Sequence, residues 1–356
     1  MALSGRNLPG LELISLYSTT ATGVFLPPLF AVRHPLCPKH AHFSAEAVHF
    51  LRKNIKIFIF LLLFPTFCCI IFKIIQNKGE TMLYIFLALS LGGAVVLVHH
   101  WCSLALPTAL WQFPAAFLGC FAALILLFLL ILFFSCILVD MRKQVKRPSR
   151  YFLFLLHQFC RLSFFLGGVT LHTEGLEKVP TQGRFMMVSN HLLALDPMLF
   201  YHAFPNIELS FIAKKESFSF YIVSQIMHQI LCLPIDREND REALKSVLKA
   251  IEFLKEDRTS IAVFPEGYTS KTGQLQPFRN GTFKIAQKAS VPIVVCTISN
   301  TRPILKNMFR RHTDVFLTVH EVIPAEELAG KTTIEIGSRV HKIMEDGIAA
   351  RQRAER

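Results

Sequence analysis

Between Glu80 and Asp140 the chain has 59 residues without an Asp, Glu, Lys or Arg. No water-exposed element tolerates that length of uncharged, mostly apolar sequence, so this stretch has to be placed before anything else is read. Soluble domains are about 25% charged. This chain of 356 residues is 18% charged and 52% hydrophobic, with 33 Phe. The shortage of charge is local: 11 charged side chains lie in residues 1–139 and 52 in residues 140–356. A wholly soluble protein, a disordered chain and a disulfide-stapled secreted module are therefore excluded. The remaining length still allows a domain of roughly 200 residues, large enough for a proper core.

The apolar half divides at its punctuation. Residues 55–75 form a first hydrophobic segment, broken by Pro65 and flanked by Arg52, Lys53, Lys56 and Lys73. Residues 82–98 form a second and 114–139 a third, separated by an expected turn region at 99–113 that contains His99, His100, Trp101 and Trp111. Each is near the 20 residues or so that a hydrocarbon layer of about 30 Å requires. We therefore expect an N-terminal transmembrane helical anchor over 51–139, with two or three hydrophobic helices. Residues 1–50 carry Pro, Gly and polar punctuation without periodicity and read as poorly ordered or interfacial.

The net charge of +13 includes a dense cluster, Arg142, Lys143, Lys146, Arg147 and Arg150, directly after the apolar half. A cationic flank of this kind fixes topology by the positive-inside tendency and suits anionic head groups. It predicts an integral membrane protein of the cell membrane whose C-terminal domain faces the cytoplasm. The same rule then leaves Arg52, Lys53 and Lys56 outside, unless the Pro65-broken segment is re-entrant or interfacial. Residues 140–169 read as this cluster followed by an interfacial helix over 151–169, in which His157 and Arg161 interrupt a Phe/Leu-rich run. A nucleic-acid partner would need a basic face with a reading module, and none is recognisable. The nine Cys show no CxxC pair or metal-ligand spacing, and the chain contains no motif that calls for a metal, a nucleotide or a redox cofactor.

From residue 170 onward, short apolar runs alternate with amphipathic stretches. Strands are expected at 185–189, 209–213, 260–264, 293–298 and 314–322. Leu244, Val247, Leu248, Ile251 and Leu254 recur at helical spacing and predict a helix over 241–256 with Asp240 as N-cap. Further helices are expected at 281–289 and 332–350. Alternating strands and helices define an α/β domain over 170–356.

Three stretches of this domain could carry chemistry. Val188-Ser-Asn-His-Leu-Leu-Ala-Leu-Asp-Pro197 places His191 and Asp196 five apart at a strand-to-helix junction. An imidazole oriented by a carboxylate is suited to general-base work near neutral pH. Val263-Phe-Pro-Glu-Gly-Tyr-Thr-Ser270 leaves a strand through Pro and Gly and carries Glu266. Leu233-Pro-Ile-Asp-Arg237 ends in a guanidinium fitted to bidentate phosphate binding. Taken singly, each has an ordinary explanation. Asp196-Pro197 fits a helix N-cap and N1 pair, Pro265 and Gly267 could simply turn a loop, and Arg237 could pair with Glu238 or Asp240. The combination in this order is more specific.

That combination resembles the glycerolipid acyltransferase family typified by 1-acylglycerol-3-phosphate acyltransferase (PlsC-like), over roughly residues 150–310. Asn190-His191 through Asp196 is similar to the family's His-x4-Asp block. Leu233 to Arg237 is similar to its acceptor block, Phe264 to Ser270 to its Phe-Pro-Glu-Gly block, and Val291-Pro-Ile-Val-Val295 to its late Val-Pro strand. Ala213-Lys214-Lys215-Glu216 and Pro277-Phe278-Arg279-Asn280-Gly281 match in place and type. The resemblance implies a mixed β-sheet flanked by helices, with His191 and Asp196 catalytic. It also implies Glu266 and Gly267 on the glycerol part of the acceptor, Lys214, Arg237 and Arg279 on its phosphate, and Asn190 near the developing oxyanion.

The implied reaction moves a fatty acyl group from a thioester of coenzyme A or acyl carrier protein to the sn-2 hydroxyl of 1-acylglycerol-3-phosphate, giving phosphatidate. Membrane lipids, a lysophospholipid and acyl carrier protein would be its partners. The family's arginine in the third block is replaced by Thr269, after Tyr268. The rival readings are an acyltransferase for another lysophospholipid, for glycerol-3-phosphate or for an amino-acid lipid, and a non-catalytic lipid-binding membrane scaffold.

Overall fold

The structure is a computed structural model that describes residues 81–101, 106–270 and 272–354. The expectations for residues 1–50 and for the segment at 55–75 lie outside the described residues.

Two apolar helices come first, α1 (Thr81–Trp101) and α2 (Leu106–Ile137). The expected turn at 99–113 is much shorter than its punctuation suggested, because α2 starts at Leu106 and runs through Pro114. Proline removes one helical hydrogen bond, and the helix continues past that loss through the Ala- and Leu-rich run that follows. Trp111–Ile137 is long and apolar enough to cross a membrane, at roughly 40 Å for 1.5 Å per residue. Phe128, Leu132 and Cys136 near its C-terminal end pack against the α/β domain.

Helix α3 (Arg150–Gly167) starts at Ser149, whose hydroxyl caps the Phe152 amide, and ends at Gly168 in the left-handed conformation. It does not lie apart as a purely interfacial helix. Phe152, Leu155, Cys160, Leu162 and Phe164 are buried in the core, and only one side, with Tyr151, Phe154, Phe165 and Leu166, is exposed. His157 is tolerated on the buried side because burial, aided by Arg161 and His202, pushes its imidazole down to about 4 and keeps it neutral.

The sheet contains β1 (Val169–Glu174), β2 (Met186–Val188), β3 (Leu209–Lys214), β4 (Leu233–Ile235), β5 (Ser260–Val263), β6 (Ile293–Ser299) and β7 (Thr313–Ile323). Their spatial order is β1-β7-β6-β2-β5-β3-β4. All neighbours are parallel except the antiparallel pair β6–β7, so the sheet is mixed. β1 and β4 were not expected from pattern alone. β4 is three residues long with an exposed Pro234 at the sheet edge, where a missing amide costs no ladder bond.

Between the strands run α4 (Asp196–Ala203), α5 (Tyr221–Gln229), α6 (Asp240–Lys255), α7 (Lys284–Ala289) and α8 (Ile304–Asn307), and α9 (Thr333–Ala354) closes the chain. The cap of α6 is Asn239, not Asp240: its side-chain oxygen accepts from the Arg241 and Glu242 amides. Either residue type suits the position, and the backbone leaves the extended region one residue earlier. Side-chain alternation assigns the two faces of the sheet. Phe185 and Met187 join the core under α3, α4 and α2, whereas Met186 and Val188 join the core under α6, α7 and α9. Helices therefore cover both faces, and the central strands are apolar throughout.

Phe200 of α4 is fully buried, with its ring centroid 5.8 Å from Phe211 and 6.1 Å from Phe264. Phe200→Ala is expected to cost about 3–5 kcal/mol. Thermal unfolding of the purified protein checks this, and an unchanged melting temperature would show that this cluster does not hold α4 to the sheet.

Candidate active site

The residues expected at the site emerge at the carboxyl ends of β2, β3, β4 and β5, where open α/β sheets bind ligands, whereas Val291–Val295 enters β6 from the opposite end. The loop after β2 carries His191 and the loop after β5 carries Glu266 through Arg279. Lys214 is the last residue of β3, and the segment after β4 carries Arg237.

Asp196 is completely buried, and it is not a cap. It occupies the first position of α4, with Leu195 before it as the cap residue. Its side chain turns back toward the preceding loop. There Oδ2 accepts from the Leu192 amide at 2.7 Å, the Leu193 amide at 2.8 Å and His191 Nδ1 at 2.8 Å. Since Nδ1 carries the donated proton, Nε2 of His191 keeps its lone pair and is free to accept one. The imidazole plane is set a second time by Phe264, with ring centroids 4.2 Å apart and 9° between the planes.

Glu266 lies 3% exposed, and both its oxygens face backbone. Oε1 accepts from the His191 amide at 2.7 Å and Oε2 from the Gln276 amide at 2.9 Å. Burial raises its pKa above the ordinary carboxylate value, while the two amide bonds and His191 pull it back down. The Ser270 amide donates to the His191 carbonyl at 2.8 Å. The β5 loop therefore holds His191 through both its N–H and its C=O. Glu266, expected on the glycerol part of the acceptor, clamps the two loops together through these bonds.

Asn190 is also spent on the scaffold. Its Nδ2 donates to the Ile298 carbonyl at 3.0 Å and its Oδ1 accepts from the Ile298 amide at 2.8 Å, pairing the β2 loop with β6. One of the two Nδ2 hydrogens and the amide oxygen are thus engaged with the backbone of β6.

Gly267, with φ +78°, has a positional role of its own. A Cβ there would lie 2.9 Å from Arg279 Nε and 3.1 Å from its Cδ, so the missing side chain is the space in which Arg279 lies. Arg279 Nη2 donates to the Tyr268 hydroxyl at 2.8 Å, and its guanidinium sits 5.2 Å from the Tyr268 ring centroid. Arg237 sits 5.0 Å from the same centroid. Two cations thus share one aromatic ring beside the His191 loop. Burial lowers the Arg237 pKa from its ordinary value, and Arg279 adds to this. An arriving anion would relieve that strain. Lys214 is placed differently, pairing with Glu216 at 3.3 Å.

Among the motif residues, the structure brings His191, Asp196 and Glu266 into one bonded unit, and Arg237 with Arg279 into another. Phe264, Tyr268, Ser270 and Gln276 belong to these units without having been singled out as site residues. Phe264 and Tyr268 flank the Pro-Glu-Gly turn, which is the one signal that could have drawn attention to them.

The Acyltransferase family model matches residues 170–299. A protein of Borreliella burgdorferi named 1-acyl-sn-glycerol-3-phosphate acyltransferase is 28% identical over 179 residues, which is 49% of this chain and 71% of that one. A Mycoplasma pneumoniae protein named a probable 1-acyl-sn-glycerol-3-phosphate acyltransferase is 34% identical over 146 residues, 40% of this chain and 54% of its own length. A Saccharomyces cerevisiae protein named 1-acyl-sn-glycerol-3-phosphate acyltransferase is 29% identical over 178 residues, 49% of this chain and 57% of its own. Apart from the Borreliella protein, the matched stretch spans only about half the length of these relatives. The crystal structure of the 1-acyl-sn-glycerophosphate acyltransferase PlsC from Thermotoga maritima shares the fold, with a TM-score of 0.50 at 24% identity over 62% of this chain and 87% of that one. With the His191–Asp196 pair, the Glu266 clamp and the mixed sheet in their observed places, residues 170–299 match the Acyltransferase family model, and the chain is similar to PlsC-like glycerolipid acyltransferases in sequence and fold.

Proposed function

We propose that the protein transfers a fatty acyl group from an acyl thioester to the sn-2 hydroxyl of 1-acylglycerol-3-phosphate, giving phosphatidate. The observation that carries the reading is the His191 Nδ1–Asp196 Oδ2 bond at 2.8 Å, which leaves Nε2 as the base. The names of the matched relatives support the substrate class.

In the proposed reaction, His191 Nε2 takes the proton of the acceptor hydroxyl as its oxygen attacks the thioester carbonyl. The imidazolium that forms is stabilised by the carboxylate of Asp196, following the logic of a Ser-His-Asp triad in which the substrate supplies the hydroxyl. The tetrahedral intermediate collapses with loss of the thiolate, and the imidazolium returns its proton to that sulfur. The hydroxyl proton thus ends on the leaving thiol, and no acyl-enzyme is required. Arg237 and Arg279, spaced by Tyr268, supply the positive charge for the acceptor's phosphate. This pair takes the place of a cation at 269, where the chain has Thr269.

The donor is a thioester of coenzyme A or of acyl carrier protein, and the reaction as written is complete with hydroxyl, thioester and imidazole. We further propose that α2 spans the cell membrane and that the Arg142–Arg150 cluster keeps the domain on the cytoplasmic side. Both the lysolipid and its product are bilayer residents, so the anchor spares the site from extracting either.

Incubating the purified protein with lysophosphatidate and an acyl thioester should yield phosphatidate, in preference to the products of lysophosphatidylcholine or glycerol-3-phosphate offered in competition. Acylation of another acceptor with no phosphatidate formed would contradict the proposal. His191→Ala should lower the rate by about 10²–10⁴ with little change in melting temperature. A folded His191→Ala protein with undiminished transfer would remove the assigned base. Arg237→Ala and Arg279→Ala should each raise the KM for lysophosphatidate roughly 10- to 100-fold, the value of about 1.5–3 kcal/mol for a charge-assisted hydrogen bond. An acceptor without a phosphate monoester should be much less affected, and equal losses on both acceptors would contradict the phosphate assignment.

A further inference from the structure

We propose that the loop between β6 and β7 is a second, peripheral membrane contact. In it, Leu305 and Phe309 insert into the head-group region of an anionic bilayer while Lys306, Arg310 and Arg311 bind the lipid head groups. The inference does not depend on the reaction proposed above.

The loop runs from Asn300 to His312 and includes the short helix α8. Leu305 is 57% exposed and Phe309 77% exposed. Single exposed apolar residues are ordinary on protein surfaces, but the backbone of Phe309 is not. It is held at φ +63°, a conformation that is an outlier for a bulky side chain. Such strain persists only where the surroundings enforce it. Here the turn is fixed by the Arg310 and Arg311 amides donating to the Asn307 carbonyl at 2.8 and 2.9 Å, and by Asn307 Nδ2 donating to Thr313 Oγ1 at 3.0 Å. The protein thus spends backbone strain on presenting a Phe to the outside, 77% exposed among the described residues.

The surrounding charge says what that Phe meets. Asn300–His312 contains no Asp or Glu and four Lys or Arg, and Asp314, the first acid after it, is paired with His172 and His312. Lys306, Arg310 and Arg311 are exposed and alternate with the two apolar residues. A protein partner would cover the apolar residues but would leave the acid-free run unexplained. An anionic lipid surface matches both, with the long basic stems lying along the apolar–polar boundary.

The position is also apt. The Met308 side chain packs by Gly167 at the end of α3, and the Thr313 amide donates to the Gly168 carbonyl at 2.9 Å. This brings the loop to the end of α3, whose Phe165 and Leu166 are exposed as well. The loop leaves β6 at the same sheet edge at which the His191 loop leaves β2, and the two strands are parallel and adjacent. Contact there would hold the His191 edge of the sheet at the lipid surface, and the domain would be fixed at two places instead of swinging on one tether.

The test uses the full chain with Phe309→Trp in a Trp101→Phe, Trp111→Phe background, so that position 309 carries the only tryptophan. The protein is placed in nanodiscs of phosphatidylcholine with or without phosphatidylglycerol. In discs with phosphatidylglycerol the emission of the introduced tryptophan should shift to the blue and be quenched by lipids brominated high on the acyl chain. Both signals should fall at high salt, and both should be lost when Lys306, Arg310 and Arg311 are replaced by Gln. Emission typical of water in both discs would overturn the proposal, and so would quenching that is equal with and without anionic lipid. Circular dichroism of each variant confirms that the spectra report folded protein.

Discussion

One carboxylate oxygen organises the site. Oδ2 of Asp196 accepts three donors, two from consecutive loop amides and one from the imidazole it orients. The three bonds make the loop and the base a single object, because the turn that brings His191 back over α4 is the turn that Asp196 closes. Complete burial of this side chain strengthens each bond relative to water, and the same burial would make an unpartnered carboxylate costly. The spacing of five between His191 and Asp196 is thus a statement about a loop of defined size at a strand-to-helix junction.

The rest of the site extends from that unit. Glu266 and Ser270 hold the backbone of His191 from the neighbouring loop, and Asn190 holds the preceding residue to β6. Three adjacent strands, β6, β2 and β5, are therefore tied together at their carboxyl ends by bonds between their loops, leaving little freedom for the base to drift. Phe264 restrains the imidazole from its face, and Phe264 is itself packed on Phe200 and Phe211. Core packing is continuous with the orientation of the base. Outside this rigid centre, Arg237 and Arg279 are arranged on Tyr268 in the space that Gly267 leaves open.

Much of this was legible in the amino-acid sequence, for identifiable reasons. The central strands are uniformly apolar and flanked by turn residues, so β2, β5 and β6 fall within a residue or so of their expected bounds. β4 escaped because three residues containing Pro234 carry no period. The start of α2 escaped because Trp111 and Pro114 look like a loop in sequence, whereas an apolar helix absorbs them. In the site, the spacing identified the pair of His191 and Asp196, but it could not distinguish a cap from an inward-turned carboxylate, since both begin a helix with Asp-Pro. The roles of Asn190 and Glu266 were beyond its reach, because a polar side chain in a motif reads the same whether it faces substrate or backbone. The bonds they make to the backbone of Ile298 and Gln276, distant in the chain, are visible only in the structure.

The central claim is that the negative charge of Asp196 makes His191 a base, beyond merely shaping the loop. Asp196→Asn tests it most directly. The amide oxygen can still accept from the Leu192 and Leu193 amides, but the charge that stabilises the imidazolium is gone. The account predicts a folded protein that binds lysophosphatidate while single-turnover acyl transfer falls by about 10²–10⁴. A folded Asp196→Asn protein that transfers the acyl group at close to the unaltered rate would contradict it.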